Sequence, residues 1–516
     1  MRIETFLAHY HIRENPFCAE EARHDPVFER LLAQDITHPE FAKVLGQVDR
    51  PCSSVVFGEK GSGKTAIRLM IDRHVAKHNA EHPDRLVMVV PYDDLNPMLD
   101  RLVQAHHGNL EAALNELRLA DHQDTILSLS ISRFNDALLG EQPVDPAAQT
   151  QPAHSPRELV KKVRKLPKQS RISLAVLSVL YDQPRTGSIL NRWRRVRRRL
   201  GLGWLPAVPW IWLTTILACL IAAGCGIAYV IQGNASPQAP WLLLGLGLAV
   251  AAALIGAMVG AWGALQRYLL AKRVVADMPA MGRTVSQLSD LFRELGPRHL
   301  AGLPLPIVHS NDADDCRYQL TSRFLEAIAP LGYTGLIVLV DRVDEPTVVH
   351  GRADRMRSII WPMLDNKFLQ QQGIGIKLLL PIELRHMVHR ESPAFFEEAR
   401  LDKQHMIDRL TWSGATLYDI CTSRLQACLD SETEVPTIQL MDLFAEDVTR
   451  DAVIDALDQM QQPRDAFKFL YNLILEHCRL NPEDTPNFKI ARITLDNVRR
   501  THAQKVQDRL RGVGPA

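Results

Sequence analysis

From Leu200 to Gln266 the chain contains no aspartate, glutamate, lysine or arginine. Two apolar segments lie inside that run, "WIWLTTILACLIAAGCGIAYVI" (210–231) and "WLLLGLGLAVAAALIGAMVGAWGAL" (241–265). Each is longer than the roughly 20 residues a helix needs to cross a hydrocarbon core about 30 Å thick. The "QGNASPQAP" between them is polar, uncharged and rich in turn residues. A transmembrane hairpin is the expectation, with a helical hairpin buried in a large soluble core as the alternative.

The flanks of the run support the membrane reading. Six arginines fall between Arg192 and Arg199, and Arg267, Lys272 and Arg273 follow the second segment. Basic residues collect on the cytoplasmic side of spanning helices. Both long arms are therefore expected in the cytoplasm, with the chain held in the cell inner membrane by two spans. Trp204, Trp210, Trp212, Trp241 and Trp262 fall near the expected interfaces. The arginines can also attract anionic lipid, at about 1 kcal/mol per basic residue; a nucleic-acid patch is the competing reading. Over the whole chain 60 basic residues balance 59 acidic ones, which argues against a globally basic nucleic-acid binder. Gly256 to Gly260 match GxxxG, a spacing that lets helices approach and hints at self-association. The N-terminus has no long apolar segment, so no cleaved signal peptide is expected. The eight cysteines include no CxxC pair, which leaves neither a zinc ribbon nor a thioredoxin-type site.

Chemistry lies on either side of the hairpin. In "SSVVFGEKGSGKTAIRLMI" (53–71), Gly58 to Thr65 fit GxxxxGK[ST] between an apolar β-branched run and a segment of helical spacing. Strand, glycine-rich loop and helix form the context of a phosphate-binding loop. Gly58, Gly61 and Gly63 allow the backbone to wrap around phosphate oxygens. Glu59, Lys60, Ser62 and Ala66 complete the loop, whose N–H groups and helix N-terminus supply partial positive charge. Lys64 would reach the β- and γ-phosphates, and Thr65 would offer its hydroxyl to Mg²⁺.

A second strand should carry the partner carboxylate. "GLIVLVDRVDEP" (335–346) runs apolar from Leu336 to Val340, as a parallel strand buried on both faces does. It ends in Asp341, at the strand edge where open α/β sheets bind ligands, so Asp341 is the second metal candidate. Glu345 is the first choice for polarising the attacking water and Asp344 the second. The long insertion between Thr65 and Asp341 is accounted for by the hairpin and its arms. Both residues must share a compartment, which an even number of spans permits. Further strands are expected over 85–94 and 373–384, the latter beside the Asp341 strand and ending at Glu383 or Arg385, where a sensor or a merely solvated strand end would sit. Arg400, Arg409 and Arg424 are candidates to reach a neighbour's γ-phosphate; most such arginines are surface ion-pair partners. Arg464 stands in the first turn of a helix opened by Pro463. No HExxH, GxSxG or EF-hand pattern competes with this site, and His386 and His389 read as a solvated helix face.

A P-loop ATPase with transmembrane helices between its two motifs resembles the KAP NTPases, within the STAND and AAA+ grouping. "DRVDE" (341–345) is similar to the STAND acidic pattern, with Arg342 where that pattern usually has glycine. "HYHIRENPF" (9–17) resembles the N-terminal motif of ExeA-type and ORC-like ATPases, which implies that Asn15, Pro16 and Phe17 lie near the adenine. "QQPRD" (461–465) is similar to the start of a sensor 2 helix, which makes Arg464 a nucleotide contact, and "RLTW" (409–412) also resembles a segment of these ATPases. The resemblance implies an ATP-driven, often oligomeric switch at a membrane. Some KAP members are associated with phage exclusion, so a role in antiviral defence comes by analogy alone.

The expected fold is a three-layer α/β/α P-loop NTPase with a parallel sheet, an inserted transmembrane hairpin and a C-terminal helical lid. The expected segments are 1–50 (nucleotide-pocket segment), 51–135 (first part of the core), 136–204 (linker and basic arm), 205–266 (hairpin), 267–330 (return arm), 331–398 (second part of the core) and 399–516 (lid). The expected activity is ATP binding with Mg²⁺, and hydrolysis that drives an oligomeric conformational switch at the cytoplasmic face. The partners expected are the bilayer and further copies of the chain. A signalling switch with negligible turnover and a membrane-tethered, ORC-like DNA-binding ATPase are the alternatives.

Overall fold

Five parallel strands form one sheet, and four of them are apolar runs that can bury both faces only between layers of helix. In the computed structural model these are β1 (Ser54–Gly58), β2 (Leu86–Tyr92), β3 (Tyr333–Val340), β4 (Ile374–Pro381) and β5 (His405–Ile407), in the order β2-β3-β4-β1-β5. Residues 1–18, 22–32, 38–141, 154–184, 187–202, 210–232, 239–295, 313–430 and 437–510 are described. The register sets Val338 beside Ile376 on β3 and β4, and Val56 beside Leu379 on β1 and β4. All of β1 and β4 is buried. Parallel strands end on the same side of a sheet. The loops after Gly58, Tyr92, Val340 and Pro381 are therefore gathered at one edge. β4 adjoins the Asp341 strand as its apolar pattern suggested. β5 lies inside the segment expected to be a helical lid: His405–Ile407 pair with β1 at the sheet edge.

Lys377 breaks the apolar pattern of β4 yet has no exposed surface. Its ammonium donates to the carbonyls of Val44 (2.6 Å), Leu45 (3.0 Å) and Cys52 (2.7 Å). Burial pulls its pKa down from 10.5 to about 8, against an opposing effect of Cys52. Between those two values the unfolded chain binds more protons than the folded one, so this lysine makes stability rise with pH there. Compared with Lys377→Met, the wild type should gain about 3 kcal/mol between pH 8 and pH 10.5. Denaturant unfolding of both proteins in detergent, at a series of pH values, measures the difference; a constant difference would refute the assignment.

The N-terminal segment and the C-terminal helices share one core. Phe6, Ile12 and Phe17 pack with Leu417, Leu425, Phe469 and Leu473. Ile12 bridges to Leu429, and Arg13 pairs with Asp430. The segments expected as 1–50 and 399–516 thus meet in space.

By internal packing the chain divides into two units. One comprises Met1–Asn96 and Thr334–Ala516; the other comprises Pro97–Pro143 and His154–Tyr333. The first part of the core, expected over 51–135, therefore changes unit at Pro97. In the second unit the arms on either side of the hairpin form one helical body. Helices Leu119–Leu139, Lys168–Tyr181 and Ala313–Ile328 surround the fully buried Arg317. Its guanidinium meets Asp124 at 3.0 Å and Asp277 at 2.8 Å, and Tyr181 donates to Asp124 at 2.9 Å. Removing one member of such a network leaves a buried charge uncompensated.

The arginine run is divided by the helix Ile189–Arg199. Arg192 is 3% exposed and pairs with Asp136 (2.7 Å), Asp182 (2.9 Å) and Glu141. Arg197 is also buried, against Glu294. Arg194, Arg195, Arg198 and Arg199 are exposed, and of these Arg194 pairs with Glu294 and Arg195 with Glu141, each at 2.7 Å.

Helices Trp210–Gln232 and Ala239–Asp277 hold two stretches long and apolar enough to cross a membrane, Leu213–Ile231 and Leu243–Asp277, with 18-residue windows of mean hydropathy 2.1 and 2.3. Their apolar side chains face outward: Leu220, Ile227 and Leu254 are each more than 60% exposed. A hairpin buried in a protein core would cover them, so that alternative does not hold for the described residues. A Cβ on Gly256 would come within 2.0 Å of Thr215 Oγ1. The first glycine of the GxxxG pair thus permits close packing within the hairpin. The second helix does not end near 265. It continues to Asp277, burying Ala271 and Val274 and delivering Asp277 to Arg317. Trp204, the linker residues 142–153 and the inter-helix residues 233–238 lie outside the described residues.

Candidate functional site

The glycine-rich loop leaves β1 at Gly58 and enters the helix Lys64–Glu81. Gly61 and Gly63 both have φ +96°, a left-handed conformation that side chains rarely adopt. The turn directs the first N–H groups of the helix, which have no intrahelical partner, toward the sheet edge. Lys64 Nζ donates to the carbonyls of Gly58 (2.7 Å) and Glu59 (2.9 Å). Burial lowers its pKa, opposed by Asp341, Asp344, Glu383 and Glu59.

Thr65 Oγ1 donates to Asp341 Oδ2 at 3.0 Å. Asp341 is 2% exposed, and burial raises its pKa against the effects of Arg68 and Lys64. A hydroxyl and a carboxylate are hard oxygen donors. Mg²⁺ takes one or two protein oxygens, with water and phosphate completing its shell, so this pair fits it. Among the described residues no group of three acidic, histidine or cysteine side chains could hold a metal by itself.

The turn after β3 carries the other acids. Asp344 and Glu345 both line the same cavity as Lys64 and Thr65, and Arg342 Nη1 lies 3.2 Å from Glu345 Oε2. Arg342 has φ +60°. A non-glycine residue there costs about 1 kcal/mol or more, which gives a physical reason why glycine suits the position. Glu383, just beyond β4, lines the cavity; Arg385 does not.

The cavity is about 410 Å³. Lys60–Gly61, Gly63–Ala66, Asp341, Arg342, Asp344 and Glu345 give it polar lining. Phe28, Leu31, Met70, Trp412, Ile420 and Phe467 add apolar and aromatic lining. Arg464 lines it too; its Cβ and Cδ lie 2.9 Å from where a Cβ on Gly61 would stand, which is a second reason for glycine in the loop.

Three expected residues are placed behind the wall rather than in it. Phe17 is buried in the helical core, 6.3 Å from the Phe467 ring, and Asn15 Oδ1 accepts from its N–H at 3.0 Å. Pro16 offers its carbonyl to Arg424 Nε at 2.6 Å. Through these contacts Asn15, Pro16 and Phe17 position Phe467 and Arg424, which do line the cavity.

The arginines proposed to reach a neighbour have partners within the chain. Arg409 pairs with Glu59, to which Gln462 also donates, while Trp412 Nε1 donates to the Ser62 carbonyl at 2.8 Å. The residues after β5 thus clasp the glycine-rich loop from outside. Arg400 has φ +45°, lies 3.9 Å from Asp402 and is absent from the cavity lining.

One acid was missed in the sequence. Asp93, beyond the end of β2, accepts from Arg68 and Arg23, each at 2.6 Å. The rule that singled out Asp341, an acid ending an apolar strand, applies to Asp93 as well. Arg424, the third arginine proposed to reach a neighbour, is instead paired within the chain: it meets Asp25 at 2.6 Å, lies over the Phe467 ring and is 2% exposed. No local pattern marks an arginine for burial.

Compared with models of known protein families, with curated proteins and with solved structures, the chain matches none.

Proposed function

We propose that the chain is a membrane-anchored ATPase of the P-loop class, resembling the KAP NTPases, that binds ATP with Mg²⁺ between the glycine-rich loop and Asp341. One observation carries the reading. Thr65 and Asp341, brought from opposite sides of the hairpin insertion, share a hydrogen bond at a cavity lined both by the polar loop and acids and by apolar and aromatic side chains. A triphosphate requires the first kind of lining and a purine suits the second.

In this reading Lys64 donates to the β- and γ-phosphates, and the N–H groups of the loop hold their oxygens. Mg²⁺, when held by Thr65 and Asp341, would neutralise charge on the phosphates. Glu345 accepts the proton of the attacking water. The contacts of Arg409, Gln462 and Trp412 to the loop give the C-terminal helices a direct mechanical link to it. The same contacts would serve a switch that binds nucleotide with negligible turnover. The exposed Arg194, Arg195, Arg198 and Arg199, with Lys272 and Arg273, face the cytoplasmic lipid surface. Arg164 and Arg171, which donate to the carbonyls of Arg198 and Gly201 at 3.2 Å, extend that surface.

Purified protein in detergent should release phosphate from ATP in the presence of Mg²⁺ and stop when EDTA is added. Binding without release would favour the switch, and absence of nucleotide binding would remove both readings. In intact cells an impermeant maleimide should label a cysteine introduced at Ser236 from outside, and one at the exposed Asp84 only after permeabilisation. Equal labelling of both would refute the hairpin.

A further inference from the structure

We propose that Arg342 recognises the third phosphate of the nucleotide and, by turning to it, releases Glu345 for proton transfer. The inference rests on the nucleotide reading of the site and adds a positioning residue to it.

The turn after β3 places an arginine where the backbone is left-handed, at φ +60°. Residues held in such conformations persist where surrounding structure or function holds them there. The side chain is 20% exposed and lines the cavity together with Asp341, Asp344 and Glu345. Nη1 is 3.2 Å from Glu345 Oε2, while Nε is buried with no hydrogen-bond partner. A guanidinium has five donors in a planar fork. Here Nη1 of the fork meets a carboxylate that is itself more than half exposed.

Two consequences follow. An ion pair stabilises the ionised carboxylate and occupies the oxygen that would take a proton, so Glu345 is a poor base while paired. The pair is also weak, because a half-exposed carboxylate is well solvated. A terminal phosphate carries more charge and presents two oxygens to the fork, and so forms the stronger bidentate contact. Lys64 and the loop N–H groups serve the β- and γ-phosphates from the side of the loop. Of the cations that line the cavity, Arg342 is the one on the Asp341 turn, paired with Glu345. A diphosphate offers no third phosphate, so it would leave Arg342 on Glu345. Hydrolytic readiness is thereby tied to the presence of the triphosphate.

The test compares affinities of the full chain in detergent for ADP and for a non-hydrolysable ATP analogue, in wild type, Arg342→Gly and Arg342→Lys. Glycine suits the backbone and removes the cation. Lysine keeps the charge without the fork. Arg342→Gly should weaken binding of the ATP analogue about ten- to hundredfold, leave ADP within about twofold, and unfold at or above the wild-type temperature. Arg342→Lys should recover part of the loss. Equal changes for both nucleotides, or no change for either, would overturn the assignment. Wild-type protein that binds neither nucleotide would instead refute the nucleotide site itself, and the proposal with it.

Discussion

Lys64→Ala is expected to reduce ATP affinity at least about a hundredfold, the loss of roughly 3 kcal/mol of charge-assisted hydrogen bonding. The ammonium stands at the start of the helix Lys64–Glu81, held by the Gly58 and Glu59 carbonyls and facing Asp341, Asp344 and Glu383. Because it is drawn out of water, little solvent reorganisation opposes its transfer to phosphate oxygens. Alanine is a good helix former, so the loop geometry should survive the change. Equilibrium titration with a fluorescent ATP analogue reads the effect. Unchanged affinity would end the phosphate-loop reading. Lys60, which also lines the cavity but has no partner role in the loop, provides the control: Lys60→Ala should change affinity less than about fivefold.

Glu345→Gln is expected to lower turnover by about a hundredfold while leaving nucleotide affinity nearly unchanged, because the amide keeps the side-chain shape but cannot accept the proton. Single-turnover phosphate release, measured beside equilibrium binding, separates the two quantities. Asp344 is the competing base. Of the two acids it is the one whose field reaches Lys64, and Glu345 is the one paired with Arg342. If Asp344→Asn gave the large fall and Glu345→Gln the small one, the roles would exchange.

The legible parts of the fold were those with a local signature. β1, β2, β3 and β4 could be read because a strand buried on both faces must be apolar throughout. β5 could not, since "HMI" is too short to show a period and its pairing comes from β1. The strand order is equally invisible in the pattern, because any of the apolar runs could have been central. Side-chain burial misled in both directions. Arg192, Arg197, Arg317 and Arg424 look like surface residues, and each is buried against carboxylates. Gly256 also packs closely within the hairpin, against Thr215, a contact that the spacing of small residues did not specify. The motif residues Asn15, Pro16 and Phe17 support the cavity wall without lining it.

What the amino-acid sequence determined alone is the kind of surface each segment must find: a non-aqueous one for the charge-free pair of helices, two helical layers for the apolar strands, and left-handed turns at Gly61 and Gly63 that close a loop on a helix N-terminus. These are short-range consequences of polarity and backbone sterics, so neighbouring residues suffice to state them. The meeting of Thr65 with Asp341 was expected from the two motifs and is seen as a hydrogen bond, whereas only the tertiary structure decided that Arg342 faces Glu345 and that the long helix ending at Asp277 is pinned by Arg317. Those contacts join residues from segments that are distant in the chain or from a turn whose geometry is set by its surroundings. Their energies depend on desolvation and distance, which exist only once the chain has packed.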